Sequence, residues 1–310
     1  MRWWIGMAIT AVAVAPSGVV RATQLTAAAA SVNGTYYENS DHSRRHDESI
    51  DAVVPLADFA LTFEAASRSG ADPRGHASTQ EALFGVNARS AAVGDIQARA
   101  GVVRFEAGGA PAGSLAIRYP FDAGEVRTRV EYTPLFETAD MVRNEIMFAG
   151  IELGGRARLH PRFNPNSQIF LRQYSDNNGS IKVRGNLPFA VLLDPIRVEL
   201  GYRQEYAAFR RQSHGGYFDP DELHSFQGFG SVSYWEETLH GYAEIFGGGQ
   251  TSRRGGIQSR DQFAGFYVEG GVTIGASFRF ALVAEGDDYA LGSASGFRHV
   301  QTTLRLSKLL

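Results

Sequence analysis

The stretch RRQSHGGYFDPDEL, residues 210–223, gathers His214, Asp219, Asp221 and Glu222 around two glycines and two aromatics. Those side chains could serve acid–base chemistry or hold a metal. Ser213 beside His214, with Asp219 nearby, has the composition of a nucleophilic triad, but neighbours on an extended strand point to opposite sides, so adjacency does not make a working pair. The acidic spacing matches neither a calcium loop nor the two-histidine helix motif of zinc enzymes. FGGGQTSRRGG, residues 246–256, is glycine-rich like a phosphate loop, yet it lacks the Lys-Ser/Thr pair and the helix that such a loop needs. We therefore expect no catalytic residue, no metal ligand and no cofactor, and read both stretches as loops.

Charged residues in strand-like rows are the stronger candidates. Arg127, Arg129 and Glu131 alternate with apolar positions, as do Arg197, Glu199 and Arg203, and further along Glu269, Arg279, Glu285 and Arg305. Tyr242 and Phe246 are in phase with His240, and Tyr267 with Glu269. If the greasier faces meet lipid, these residues line a hydrated lumen. Mixed charges there can pair across the wall, and a roughly balanced lumen favours neutral polar cargo over ions of one sign. Aromatics in it can stack on sugar rings or fill gaps in the wall.

The elements that must carry these rows are strands. In 276–286, Ala276, Phe278, Phe280, Leu282 and Ala284 oppose Ser277, Arg279, Ala281, Val283 and Glu285, and the same period-two pattern returns in 124–132, 196–203, 266–274 and 299–307. A soluble antiparallel sheet shows this alternation too. A transmembrane barrel is favoured by both signs of charge on the polar face, by the lack of clear helices to cover a sheet, and by turns that alternate short and long. Short turns fall at Glu236-Glu237 and Gly275. Long polar loops are expected at 207–221, 249–260 and 287–296, with further loops at 38–49 and 66–78. In 144–162, Gly154-Gly155 is either a hairpin turn or part of one longer strand.

Composition agrees. Glycine (35) and aromatics are plentiful, cysteine is absent, and a net charge of -3 gives no electrostatic case for nucleic acid. Arg2, the apolar run Trp3 to Ala15 and small residues before Ala22 read as a secretory signal peptide over 1–22, too short and too soon broken by Pro16 to span a membrane. The remainder, 23–310, accommodates about 16 strands. The expectation is an all-β chain: a transmembrane antiparallel β-barrel of about 16 strands, embedded in the lipid of the bacterial outer membrane, channel-forming and not an enzyme. The alternatives are an outer-membrane enzyme using His214 and Asp219 on lipid or glycan, and a soluble secreted β-protein.

The run GYRQEYAAFRRQSHGGYFDPDELHSF, 201–226, resembles the C-terminal outer-membrane barrel of the bacterial cellulose synthase export subunit and related exopolysaccharide-export barrels. The resemblance rests on a strand leading through a polar and aromatic segment into a GGY[YF]-x-P loop, here Gly215, Gly216, Tyr217, Phe218 and Pro220, with His214 just before it. It implies a conduit for a cellulose-like neutral glycan. Members of that family usually carry a periplasmic array of helical repeats before the barrel; here strands follow the expected leader almost directly, so a periplasmic helical-repeat scaffold is either a separate partner protein or absent. The chain also ends in Leu310, where such barrels commonly have an aromatic.

Overall fold

The computed structural model describes residues 28–39, 44–56, 58–90, 93–136, 139–212, 219–275, 278–290 and 297–309. Residues 1–22, expected to be a signal peptide, and residues 213–218, including His214, Gly215, Gly216, Tyr217 and Phe218, lie outside the described residues.

The chain forms a closed sixteen-stranded barrel. Its strands are β1 (Ala29–Asn39), β2 (Arg44–Leu56), β3 (Phe59–Asp72), β4 (Gly75–Ser90), β5 (Gly94–Arg104), β6 (Gly109–Phe121), β7 (Gly124–Pro134) and β8 (Met147–Ala157). They continue with β9 (Asn166–Tyr174), β10 (Gly179–Leu192), β11 (Ile196–Phe209), β12 (Glu222–Trp235), β13 (Leu239–Arg254), β14 (Ile257–Ile274), β15 (Phe278–Ala290) and β16 (Phe297–Leu309). Each strand pairs antiparallel with its sequence neighbours, and β16 closes on β1 with Ser31 opposite Ser307. Closure satisfies every ladder without leaving an edge, the condition for a sheet in hydrocarbon.

Period-two patterning decides what faces out. On β14 the outward row from Ala264 through Phe266, Val268 and Val272 to Ile274 is apolar. Ten steps of about 3.4 Å on a strand tilted by about 40° span about 26 Å, the height of an outer-membrane lipid band. Ile50, Val54, Leu115, Val130, Ile151 and Leu171 continue that exposed apolar belt around the wall. Toward one end it carries Phe59, Tyr119, Phe121, Phe189 and Phe278, an aromatic girdle of the kind found at a membrane interface.

The two ends differ. At the end where β1 starts and β16 stops, the connections are mostly tight, among them 57–58, 122–123, 193–195 and 236–238. The opposite end carries the long segments 135–146 and 210–221. Short turns mark the periplasmic side and long loops the outside.

Several expected loops are strands. Residues 66–78 form the top of the β3–β4 hairpin, turned at Pro73-Arg74, and within 38–49 only 40–43 lies between β1 and β2. β13 runs through Arg254, and 249–260 contains a two-residue turn at Gly255 and Gly256, with φ of 58° and 80°. Positive φ at both central positions is what a type I′ hairpin requires, and glycine adopts it without strain. β15 likewise continues to Ala290. These strands project past the lipid band, where both faces are polar: Arg44, His46 and Glu48 face out while Arg45 and Asp47 face in. The alternation signal vanishes although the ladder persists. Gly154 and Gly155 lie inside β8, so 144–162 holds one long strand. The tight turns at 236–238 and Gly275 are where the sequence places them.

Candidate pore lining

The row opposite the apolar belt is the inner wall. Arg127, Arg129 and Glu131 on β7, Arg197, Glu199 and Arg203 on β11, Tyr242 on β13, Tyr267 and Glu269 on β14, Arg279 and Glu285 on β15, and Arg305 on β16 all share it. Most are paired. Arg127 reaches Glu152 at 3.4 Å, Arg129 reaches Glu131 at 2.8 Å, and Arg197 reaches Glu199 at 2.6 Å. Tyr267 donates its hydroxyl to Glu269 at 2.9 Å, and Arg305 donates Nε–H to Asn33 Oδ1 at 2.9 Å.

The tightest unit skips a strand. Both Arg203 terminal nitrogens donate to Glu244, each at 2.6 Å, across the inner surface of β12, and Tyr242 adds its hydroxyl at 2.5 Å. The Arg203 guanidinium also lies 4.1 Å from the Phe229 ring centroid. Arg184 makes a comparable contact with Glu205, which Lys182 joins at 2.8 Å.

The charges are unevenly placed around the ring. β8, β9 and β10 turn Arg156, Arg172, Lys182 and Arg184 inward with Glu152 as their one inward carboxylate, and Lys182 and Arg184 are met by Glu205 of β11. Neither Arg156 nor Arg172 has a carboxylate within 4 Å among the described residues: Arg156 lies opposite Glu125, whose charge acts on it from farther off, and Arg172 sits 4.4 Å over the Phe148 ring. β2, eight strands around the barrel from β10, presents Asp47 and Asp51 inward, with Arg45 beside Asp47 at 2.9 Å.

Aromatic side chains form a column on β12–β14. Trp235 and His240 stack at 4.9 Å with 5° between planes beside the periplasmic turn. Above them Tyr242 meets Tyr267 at 5.6 Å, and then Phe246 meets Phe263 at 6.4 Å, both edge-on. Inward-facing glycines make room for the rings. A Cβ at Gly271 would lie 2.1 Å from the His240 ring, and one at Gly265 would lie 2.4 Å from Phe246. The rings thus lie in notches of the wall, and Trp235, 47% exposed, keeps a face open to the mouth.

The segment 135–146 turns inward at the outer end and contains the one helix among the described residues, α1 (Ala139–Arg143). It starts between β7 and β8 but packs on β3 and β4, with Ala139 3.5 Å from where a Cβ on Gly70 would stand. Ala139, Val142 and Met147 cluster with Ala77, Val103, Phe105 and Ala112 on the inner wall, while Leu135, Met141 and Ile146 pack on Phe148 and Tyr174. Arg143 fastens it to Asp72 at 2.6 Å and braces Asp140 within the same helix at 2.5 Å; Arg74 of the β3–β4 turn joins Asp140 as a second tie, and the Arg68 guanidinium covers the Phe136 ring at 4.2 Å. The segment narrows the outer mouth.

The sequence reading missed this constriction, and with it Trp235, Arg156, Arg172 and Glu244. The apolar residues Leu135, Phe136, Met141 and Val142 in an otherwise polar connection were the available signal.

The acidic stretch that first suggested chemistry is a tether. Asp219 is fully buried against Arg254 at 2.8 Å, Asp221 accepts the Gly255 N–H at 3.0 Å, and Pro220 is buried with its carbonyl accepting the Phe209 N–H at 3.2 Å. Together they tie the loop after β11 to the β13–β14 turn.

A closed sixteen-stranded barrel with an apolar outer belt and a charged interior is an outer-membrane β-barrel, and its place is the bacterial outer membrane. No family model matches the chain, and no curated protein matches it in sequence. Solved structures do. A bacterial polysaccharide outer membrane secretin superposes with a TM-score of 0.76 at 12% identity, covering 92% of this chain and 98% of that one. CdiB from Acinetobacter baumannii gives 0.55 at 10% identity over 90% of this chain and 60% of its own. Pseudomonas aeruginosa OccK11 (OpdR) gives 0.50 at 10% identity over 92% and 96%. At these identities the likeness is one of fold.

Proposed function

We propose that the barrel is an outer-membrane conduit for an exopolysaccharide, passing a neutral, cellulose-like glycan from the periplasm outward after export through the leader at 1–22. The aromatic column that begins at Trp235 carries this reading. A sugar ring has one face of C–H bonds that stacks on an aromatic plane, and the exposed Trp235, stacked on His240 at the periplasmic mouth, offers such a plane where a chain would enter. The surrounding guanidinium and carboxylate groups are largely paired, so they offer hydrogen bonds without a strong net field, which suits uncharged cargo. The motif resemblance to cellulose synthase export barrels and the fold likeness to a polysaccharide secretin point the same way. A separate periplasmic helical-repeat scaffold would dock at the short-turn end.

The test is conductance together with flux of a labelled neutral oligosaccharide through the barrel in lipid bilayers. Flux that falls severalfold in Trp235→Ala while ion conductance is retained supports the proposal. A barrel closed to both under every condition overturns it.

A further inference from the structure

A hollow of about 710 Å³ opens on the outer, lipid-facing wall of β7–β11. Its floor is one continuous cross-strand row: Val130 pairs with Ile151, Ile151 with Leu171, Leu171 with Ile181, and Ile181 with Ala208. The next row toward the outer end is Ala149, Gln173 and Gly179, and Arg210 donates its N–H to the Gly179 carbonyl at 2.8 Å to extend it. Small residues, Ala149, Gly179 and Ala208, leave the depression where larger ones would fill it.

The row is oblique to the membrane. Traced back from Val130 through Leu115, Ala98, Val86 and Leu61, it reaches Val54 near a periplasmic turn; traced forward from Ala208, it reaches Glu222 and Arg253 at the outer rim. The hollow therefore descends from the outer surface at Arg210 toward mid-membrane at Val130. Four strand spacings make about 19 Å, and the barrel tilt of about 40° turns that into about 12 Å of depth, close to the ~15 Å of one leaflet. At its top Arg210 is exposed and has no carboxylate partner among the described residues.

The geometry points to a binding site for a phosphorylated outer-leaflet glycolipid of the lipid A type, one acyl chain lying along the Val130–Ala208 row and a headgroup phosphate on Arg210. An apolar trough of leaflet depth selects an acyl chain. A guanidinium at its upper rim, on the side bearing the long loops, selects an anionic headgroup in that leaflet.

The test is retention of lipid A by the detergent-purified barrel, read by native mass spectrometry after loading with bisphosphorylated lipid A. Retention should fall about tenfold in Arg210→Gln and also in Ala149→Trp, which fills the trough. Both variants should keep heat-modifiable migration; if Ala149→Trp fails to fold, Ala208→Leu takes its place. Lipid A lacking phosphates, and phosphatidylglycerol, should be held no better than by Arg210→Gln. Equal retention by the wild type and both variants, or equal retention of phosphatidylglycerol and lipid A, overturns the assignment.

Discussion

Arg203 and Glu244 meet as two parallel hydrogen bonds of 2.6 Å each, spanning from β11 to β13 over the inner face of the strand between them. The pair holds three strands in register by side chains as well as by backbone. The Glu244 side chain is 1% exposed, so water cannot replace the hydrogen bonds that Arg203 and Tyr242 give it.

Removing one member of such a pair strands the other. Arg203→Ala should cost about 3 kcal/mol, measured as a lower midpoint for loss of the folded band in urea. Glu244→Gln, which keeps hydrogen-bonding capacity, should cost less, and Arg203→Met with Glu244→Leu together should recover most of the loss. An unchanged midpoint in Arg203→Ala would refute a structural role for the pair.

The inward segment 135–146 hangs on Arg143. Each charge-assisted hydrogen bond is worth about 1.5–3 kcal/mol, so Arg143→Ala should raise the population of displaced segment at least about tenfold. Single-channel recordings should show larger and noisier conductance. A trace identical to the wild type would mean that the segment does not set the narrowest point.

Selectivity should follow Arg156 and Arg172, the inward arginines of β8 and β9 that make no close ion pair among the described residues. Arg156→Gln with Arg172→Gln removes two positive charges from the β8–β9 wall and should move the reversal potential in a salt gradient toward cation preference. The effect should weaken as salt rises and the Debye length contracts to about 3 Å at 1 M. A reversal potential that does not move would place the ion path away from this wall.

The Trp235–His240 stack depends on an absent side chain. Gly271→Ala would put a methyl carbon 2.1 Å from the present His240 ring position, displacing the imidazole from the stack. Glycan flux should drop as in Trp235→Ala, with conductance and folding retained. Flux unaffected by Gly271→Ala but abolished by Trp235→Ala would show that the indole acts without its partner.

Legibility in the sequence followed the membrane. Where strands cross lipid, as in Val126–Val130 or Phe278–Leu282, outward apolar and inward polar residues alternate, and both the barrel and the side on which Arg127, Glu199 or Glu285 falls can be read directly. Where strands continue into water, as in Arg44–Glu48 or Gln250–Arg254, both faces are polar and the ladder leaves no pattern. Contacts that skip a strand, such as Arg203 with Glu244, or that cross the lumen, such as Arg143 with Asp72, depend on closure and have no local signature. The acidic cluster at Asp219 and Asp221 shows the converse: side chains suited to catalysis are spent on anchoring a loop to Arg254 and Gly255.

The joint between β1 and β16 brings Thr35 within 2.9 Å of Thr303, 268 positions away along the chain. Contacts so distant in sequence come late in folding, because the chain must close its largest loop before they form. Until that moment two full strand edges stay open, and in hydrocarbon each unpaired backbone group costs several kcal/mol. Membrane insertion of this chain is therefore coupled to ring closure: intermediates with an open seam belong in water or under the shelter of another protein, and the last hairpin to join is the step that commits the barrel to lipid.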